Sequence, residues 1–185
     1  MTVKILSNAI LILLIVLGQI SFLSTWPQPI SNINLLLSVI IFVAVIINYE
    51  QGLWWALGGG ALLELYSSLP FGAVTLGLVA TVIVVNLLFT NFFTNRSYYA
   101  LAILSYTATI FYHACTLGVQ LLFIVIGQSD AESLTNFSVR SFLIWQPLLT
   151  VVMVMLIFFA YNRSTSRLKR FVFSSEDHYE ISKRY

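Results

Sequence analysis

Apolar residues run along this chain in six blocks separated by short polar segments. A helix needs about 20 mainly apolar residues, with a range of about 17 to 25, to cross a hydrocarbon core of about 30 Å. The pattern predicts six membrane spans, which cover residues 5–23, 33–48, 52–66, 71–90, 98–127 and 141–161. The third block has about 15 residues and reaches only about 22 Å as a helix, so a short third helix is expected.

The composition supports a membrane protein. Hydrophobic residues make up 59% of the chain and charged residues 9%, whereas a soluble domain carries roughly a quarter charged residues. An uncleaved first span is favoured over a signal peptide, because residues 5–23 continue without a small-x-small cleavage pattern. The one cysteine, Cys115, excludes an intramolecular disulfide.

The basic residues predict the orientation, because lysine and arginine concentrate in cytoplasmic loops. With six spans and a cytoplasmic N-terminus, Arg140 is the only basic residue outside. If residues 52–66 did not cross, Arg96 and the basic tail would change sides and the asymmetry would vanish. The sequence therefore predicts an all-α integral membrane protein with six transmembrane helices and both termini in the cytoplasm. A membrane domain covers residues 1–162, and a basic cytoplasmic tail covers residues 163–185.

Small residues follow one face of the third block. They recur at four-residue spacing and lead to an acidic residue: Gly52, Ala56, Gly60 and Glu64, with Gly59 beside Gly60. Steps of four stay on one side of a helix, and small side chains let another helix approach closely in lipid. We predict that this face packs a helix or binds a partner.

The acidic residue of this face, Glu64, precedes a turn that contains Pro70 and Gly72. This position predicts a place near the outer interface, where a charge costs less than at the bilayer centre. Three roles are open for the carboxylate. It caps the turn by accepting backbone or hydroxyl hydrogen bonds, it makes a polar contact with another helix or partner, or it binds a substrate or ion.

Polar side chains also form a stripe on the fifth block: Ser105, Thr109, Tyr112, Thr116 and Gln120, with His113 beside Tyr112. Steps of three and four place them on one helix face. Hydrocarbon cannot satisfy their donors, so the stripe is expected to face protein or a cavity. The alternatives are packing against neighbouring helices through hydroxyl bonds, a small-molecule pocket, and His113 as a proton or metal ligand.

Three amide side chains in other blocks, Asn8, Gln19 and Asn86, are expected to form hydrogen bonds between helices. The sequence has no GxSxG, Walker lysine, HExxH or CxxC motif, which are signatures of common catalytic and metal sites. We therefore expect no catalytic residue, metal site, cofactor or enzymatic activity.

The stretch GGGALLELYSSLPFGAVTLGLVAT, residues 58–81, resembles the signature region of the bacterial rod shape-determining protein MreD family. That region reads G-(L/A)-x-x-D-L-x-S-G-x-P-x-G. Glu64 stands where the family has aspartate and Ser68 where it often has glycine, whereas Pro70 and Gly72 match. The chain thus resembles a divergent member of the family.

The resemblance implies a six-helix fold related to the substrate-binding S components of energy-coupling-factor (ECF) transporters. It further implies a scaffold or regulator of cell-wall elongation in the bacterial inner membrane. The implied partners are a bitopic MreC-like protein, cell-wall synthesis proteins and membrane lipids, with no nucleic acid. The alternative is an S-component-like protein that binds a vitamin-type solute through the stripe and Glu64. Hydroxyl groups dominate the stripe, which favours the scaffold, because a solute site needs several convergent polar groups.

Overall fold

The computed structural model describes residues 2–21, 27, 33–67, 69–92, 98–126 and 145–163, and within them there is no β-strand. The helices are α1 (Thr2–Ser21), α2 (Leu35–Phe42), α3 (Tyr49–Glu64), α4 (Ala73–Phe92), α5 (Tyr98–Val125) and α6 (Gln146–Arg163). Three of them, α4 to α6, are long and apolar enough to cross a membrane, and Leu6–Ser21 and Leu35–Ile47 are shorter apolar helices. These features confirm the predicted all-α membrane class. Arg140 and residues 164–185 of the predicted tail lie outside the described residues.

The second helix is shorter than the third, although the sequence pattern singled out only the third as short. Helix α2 has 8 residues and continues as a π-helical segment of 5 residues, Val43–Ile47, whereas α3 has 16. The Asn48 N–H donates to the carbonyl oxygen of Val43 at 3.0 Å and closes the wider π turn. Asn48 is itself extended, with φ −163° and ψ 140°. One extended residue therefore joins the two helices and reverses the chain.

Helix α2 lies at the centre of the bundle and contacts α1, α3, α4 and α5. Leu36, Leu37 and Ile40 are fully buried. A helix that is apolar on all sides belongs in the interior, which accounts for this position. Helix α1 is peripheral by contrast, since Ile12 and Val16 are its only buried side chains among those described.

The glycines of α3 pack against two different helices. A Cβ atom added at Gly60 would lie 2.9 Å from the Cα atom of Thr75 on α4. One added at Gly59 would lie 2.8 Å from the Cδ1 atom of Leu36 on α2. The predicted small-residue face is therefore divided, because neighbouring positions on a helix point about 100° apart.

The beginning of α3 packs against the π-helical segment that follows α2. A Cβ atom at Gly52 would lie 2.7 Å from the Cβ atom of Ala44 in the π segment. Ala56, one turn further along, is fully buried. Small side chains along α3 thus allow the short hairpin formed by the second and third helices to close tightly.

The last helix packs through aromatic rings. Tyr161 of α6 meets Phe42 of α2 edge to face, with ring centroids 5.5 Å apart. Phe158 meets Tyr98 of α5 in the same way at 4.7 Å. Edge-to-face pairs of this kind contribute about 0.5–1.5 kcal/mol beyond the area they bury, so they help to hold α6 against the bundle.

The close approach of α3 and α4 predicts that alanine at Gly60 and alanine at Gly58 change the free energy of unfolding differently. Gly60→Ala is expected to lower the free energy of unfolding by about 1–3 kcal/mol, because the helices must move apart to admit the methyl group. The matched control is Gly58→Ala, whose Cβ would meet nothing nearer than the Ile12 Cδ1 atom at 3.9 Å. That change is expected to be neutral or stabilising, since alanine is the better helix former by about 0.8–1.0 kcal/mol. Thermal unfolding in one detergent measures both variants, and equal melting temperatures would contradict the close-packing account.

Candidate functional site

The carboxylate of Glu64 at the end of α3 caps the beginning of α4. Its Oε1 atom accepts hydrogen bonds from the backbone N–H groups of Val74, at 3.0 Å, and Thr75, at 3.4 Å. Its Oε2 atom accepts from the Thr75 hydroxyl at 2.7 Å. The first N–H groups of a helix have no partner within the helix, and they carry positive partial charge. This arrangement corresponds to the capping role among the three open for Glu64.

The turn between α3 and α4 holds the two helix ends in place. The carbonyl oxygen of Pro70 accepts from the N–H group of Ala73 at 3.1 Å. Gly72 has φ +95°, in the left-handed region that costs glycine little because it has no Cβ atom. Both turn residues singled out by the sequence therefore shape this connection, and the turn brings the first amides of α4 to Glu64.

Helix α2 begins with a second cap, to which α1 contributes. The Oε1 atom of Gln19 on α1 accepts from the N–H group of Leu36 at 2.9 Å. The Oδ1 atom of Asn34 accepts from the N–H group of Leu37 at 3.0 Å. The expected inter-helix hydrogen bond of Gln19 is thus confirmed. Asn34 was missed, although an asparagine directly before an apolar run is a known helix-start signal.

The hydroxyl groups of the α5 stripe bond within their own helix, whereas one of the three alternatives left open by the sequence had them bond to neighbouring helices. The Ser105 hydroxyl donates to the carbonyl oxygen of Leu101, and the Thr109 hydroxyl to that of Ser105, each at 2.7 Å. The Thr116 hydroxyl donates to the carbonyl oxygen of His113 at 3.0 Å. A carbonyl three or four residues earlier is always within reach in a helix. Ser105, Thr109 and Thr116 are buried, but their hydroxyl donors are already used.

The remaining stripe residues have separate surroundings. The ring of His113 is buried and packs edge to face on that of Tyr112, with centroids 5.3 Å apart. Gln120 is half-buried. Within the described ranges, no group of three or more His, Cys, Asp or Glu side chains could hold a metal ion.

Close packing of α4 on α5 depends on a glycine that the sequence pattern did not single out. A Cβ atom at Gly77 would lie 3.0 Å from the Cγ2 atom of Thr116 and 3.2 Å from the ring of Tyr112. Gly77 therefore allows α5 to approach α4 at the level of the stripe. The hint in the sequence was a lone glycine within an otherwise apolar helix, which often has a packing reason.

A cavity of about 250 Å³ lies where the ends of α1 to α4 meet the middle of α5. Its polar lining comes from Gln19, Asn34, Ser67 and Tyr112, with Tyr66 beside them. Tyr112 is the only residue of the α5 stripe among the described lining residues. Glu64 lies beside the cavity, because two residues next to it line the cavity. These are Leu63, which precedes it in the chain, and Val74, whose N–H group donates to its carboxylate.

No protein-family model, curated protein or solved structure matches this chain.

The capping geometry predicts graded effects of substitutions at Glu64. Glu64→Gln is expected to leave membrane insertion and topology intact, because the amide oxygen still accepts from Val74 and the Thr75 hydroxyl can accept from the new NH₂ group. Glu64→Leu removes every acceptor and leaves buried N–H groups unpaired, which should cost about 2–4 kcal/mol. Thr75→Val, which removes one hydroxyl bond, should cost about 1 kcal/mol. Unfolding in detergent tests this order, and a Glu64→Leu variant as stable as the native protein would refute it.

Proposed function

We propose that this chain is a non-enzymatic component of the cell-shape and cell-wall elongation machinery of the bacterial cytoplasmic membrane. It acts as a scaffold or regulator for a bitopic MreC-like protein and cell-wall synthesis proteins. The observation that carries this proposal is the α3–α4 hairpin. Residues 58–81, which bear the resemblance to the MreD family, form one packed unit in which Gly60, Glu64 and Gly72 each have a structural task.

The surface of the bundle supports a role in assembly. Helix α1 exposes a row of large apolar side chains, among them Leu6, Ile10 and Leu14. In lipid, helices associate through close packing and polar contacts rather than through a hydrophobic driving force. Side chains of this kind suit both lipid and the membrane helices of a partner.

In the proposed orientation all six helices cross the membrane and both termini are cytoplasmic. The end of α3, the beginning of α4 and the cavity then lie on the outer side, towards cell-wall synthesis. The short second and third helices require local thinning of the bilayer or shielding by a partner. This requirement gives a partner a physical reason to bind beside them.

A second candidate function is supported by the cavity. An S-component-like protein that captures a vitamin-type solute for an ECF transporter needs a concave site with a few polar groups that fix orientation. Gln19, Asn34 and Tyr112 provide such groups. Fold alone does not decide between the two functions. The proteins that bind this chain distinguish them.

Co-purification tests the proposed assembly directly. A tagged copy at native expression, extracted in mild detergent, is expected to recover a single-span coiled-coil protein and cell-wall synthases by mass spectrometry. An unrelated six-span protein with the same tag, matched in abundance, is the control. Recovery of transport ATPase subunits with a coupling membrane protein would overturn the scaffold proposal and favour solute capture.

The orientation can be tested with alkaline phosphatase, which is active only outside the cytoplasm. Fusions made after Asn95 and after Tyr185 are expected to be inactive, and a fusion made after Gly127 is expected to be active. Fluorescent-protein fusions at the same positions should give the opposite pattern. Phosphatase activity after Tyr185 would contradict the cytoplasmic C-terminus and an even number of spans.

A further inference from the structure

The amide side chains in the wall of the cavity offer their donors more fully than their acceptors, because each amide oxygen already accepts one backbone hydrogen bond. The amide oxygen of Gln19 is bonded to the N–H group of Leu36 at 2.9 Å. That of Asn34 is bonded to the N–H group of Leu37 at 3.0 Å. These bonds determine which end of each amide is oxygen, since a backbone N–H group can only donate. Each side chain therefore has its NH₂ group left as a donor.

Two hydroxyl groups add to the donor character. The oxygen of Ser67 accepts from the N–H group of Leu69 at 3.1 Å, which leaves its O–H group as a donor. Tyr112 is buried and lines the same cavity, as does Asn34. The polar wall thus offers mainly N–H and O–H donors, and a ligand that accepts hydrogen bonds matches it.

Charge narrows the choice among such ligands. The described lining residues include no Lys, Arg, Asp, Glu or His side chain. The carboxylate of Glu64 lies beside the cavity, because Leu63, the preceding residue, and Val74, whose N–H group donates to Glu64, both line it. An anionic ligand would meet this like charge without a cation to balance it, and a cationic ligand would face donors. A neutral acceptor avoids both penalties.

The volume of the cavity and its apolar lining limit the part of the ligand that does not accept hydrogen bonds. The volume of about 250 Å³ lies just below the range of about 300–1,000 Å³ that is usual for ligand pockets, so the cavity suits a small ligand. Ile20, Ile33 and Leu63 form part of the apolar lining. The ligand therefore combines a compact apolar body with one polar end.

We propose that this cavity binds a small neutral molecule whose carbonyl oxygen accepts hydrogen bonds from Gln19, Asn34 and Tyr112, such as an amide, lactam or cyclic urea. The inference rests on the second candidate function, because it specifies the ligand class for the same cavity.

The test uses the full-length protein in lipid nanodiscs and ligand-observed saturation-transfer NMR, with empty nanodiscs as the correction for partitioning. The probes are 2-pyrrolidone and 2-imidazolidinone, which are neutral, and cyclopentanecarboxylate and cyclopentylamine, which are charged and of similar size. The neutral probes are expected to bind with a dissociation constant near about 1 mM. The charged probes are expected to bind at least about tenfold more weakly, as for the loss of one good hydrogen bond.

Two variants separate the ligand-binding role of the amides from their capping role. Asn34→Asp and Gln19→Glu keep an acceptor for the first N–H groups of α2 but replace the NH₂ donor with an oxygen. Both are expected to keep the native melting temperature, to lose at least about tenfold in 2-pyrrolidone affinity, and to gain affinity for cyclopentylamine. Asn86→Asp, the same change on α4 outside the described cavity lining, is the control and should bind 2-pyrrolidone as the native protein does.

Each remaining outcome distinguishes the inference from the functions proposed above. Preferred binding of either charged probe would overturn the ligand class and leave solute capture intact. The absence of saturation transfer from every probe at about 10 mM would overturn both, without bearing on the scaffold. If the capping variants failed to fold, Tyr112→Phe would replace them, and unchanged binding of 2-pyrrolidone by that variant would refute the proposed contacts.

Discussion

The bond between the Glu64 carboxylate and the first amides of α4 is the interaction on which the other features of the site depend. A buried charge is tolerated when donors surround it, and here three donors from two consecutive residues do so. The bond joins the end of α3 to the beginning of α4 and positions Gly60 against Thr75. It also places Val74 in the wall of the cavity. Of the three roles that the sequence left open for Glu64, these bonds correspond to the capping of a helix.

The same physical constraint recurs at the beginning of α2. The first N–H groups of a helix have no partner within the helix and need an acceptor from elsewhere in the protein. Gln19 and Asn34 supply oxygen atoms for that purpose, and their NH₂ groups remain beside the cavity. Along α5 the buried hydroxyl groups instead bond to their own helix. The polar groups available to a ligand are thus concentrated at one end of the bundle.

The two proposed functions use different parts of the molecule. Assembly with other membrane proteins would use the apolar outer faces, such as that of α1, and the surroundings of the short hairpin. Solute binding would use the cavity between the helix ends. Because α1 contributes both an exposed apolar face and Gln19 to the cavity, a partner that moved this helix would also alter the cap of α2 and the donors beside it.

The amino-acid pattern alone predicts the membrane class, the approximate extent of each helix, the α3–α4 turn with Pro70 and Gly72, and the inter-helix bond of Gln19. These features follow from local composition, the lengths of apolar blocks and the backbone preferences of proline and glycine. Tertiary packing sets the π-helical end of the second helix, the division of the α3 glycines between α2 and α4, and the partners of the α5 hydroxyl groups. It also decides which amides meet at the cavity. The physical reason is that these outcomes depend on the depth and rotation of each helix relative to its neighbours, and nearly uniform apolar surfaces carry little information about either.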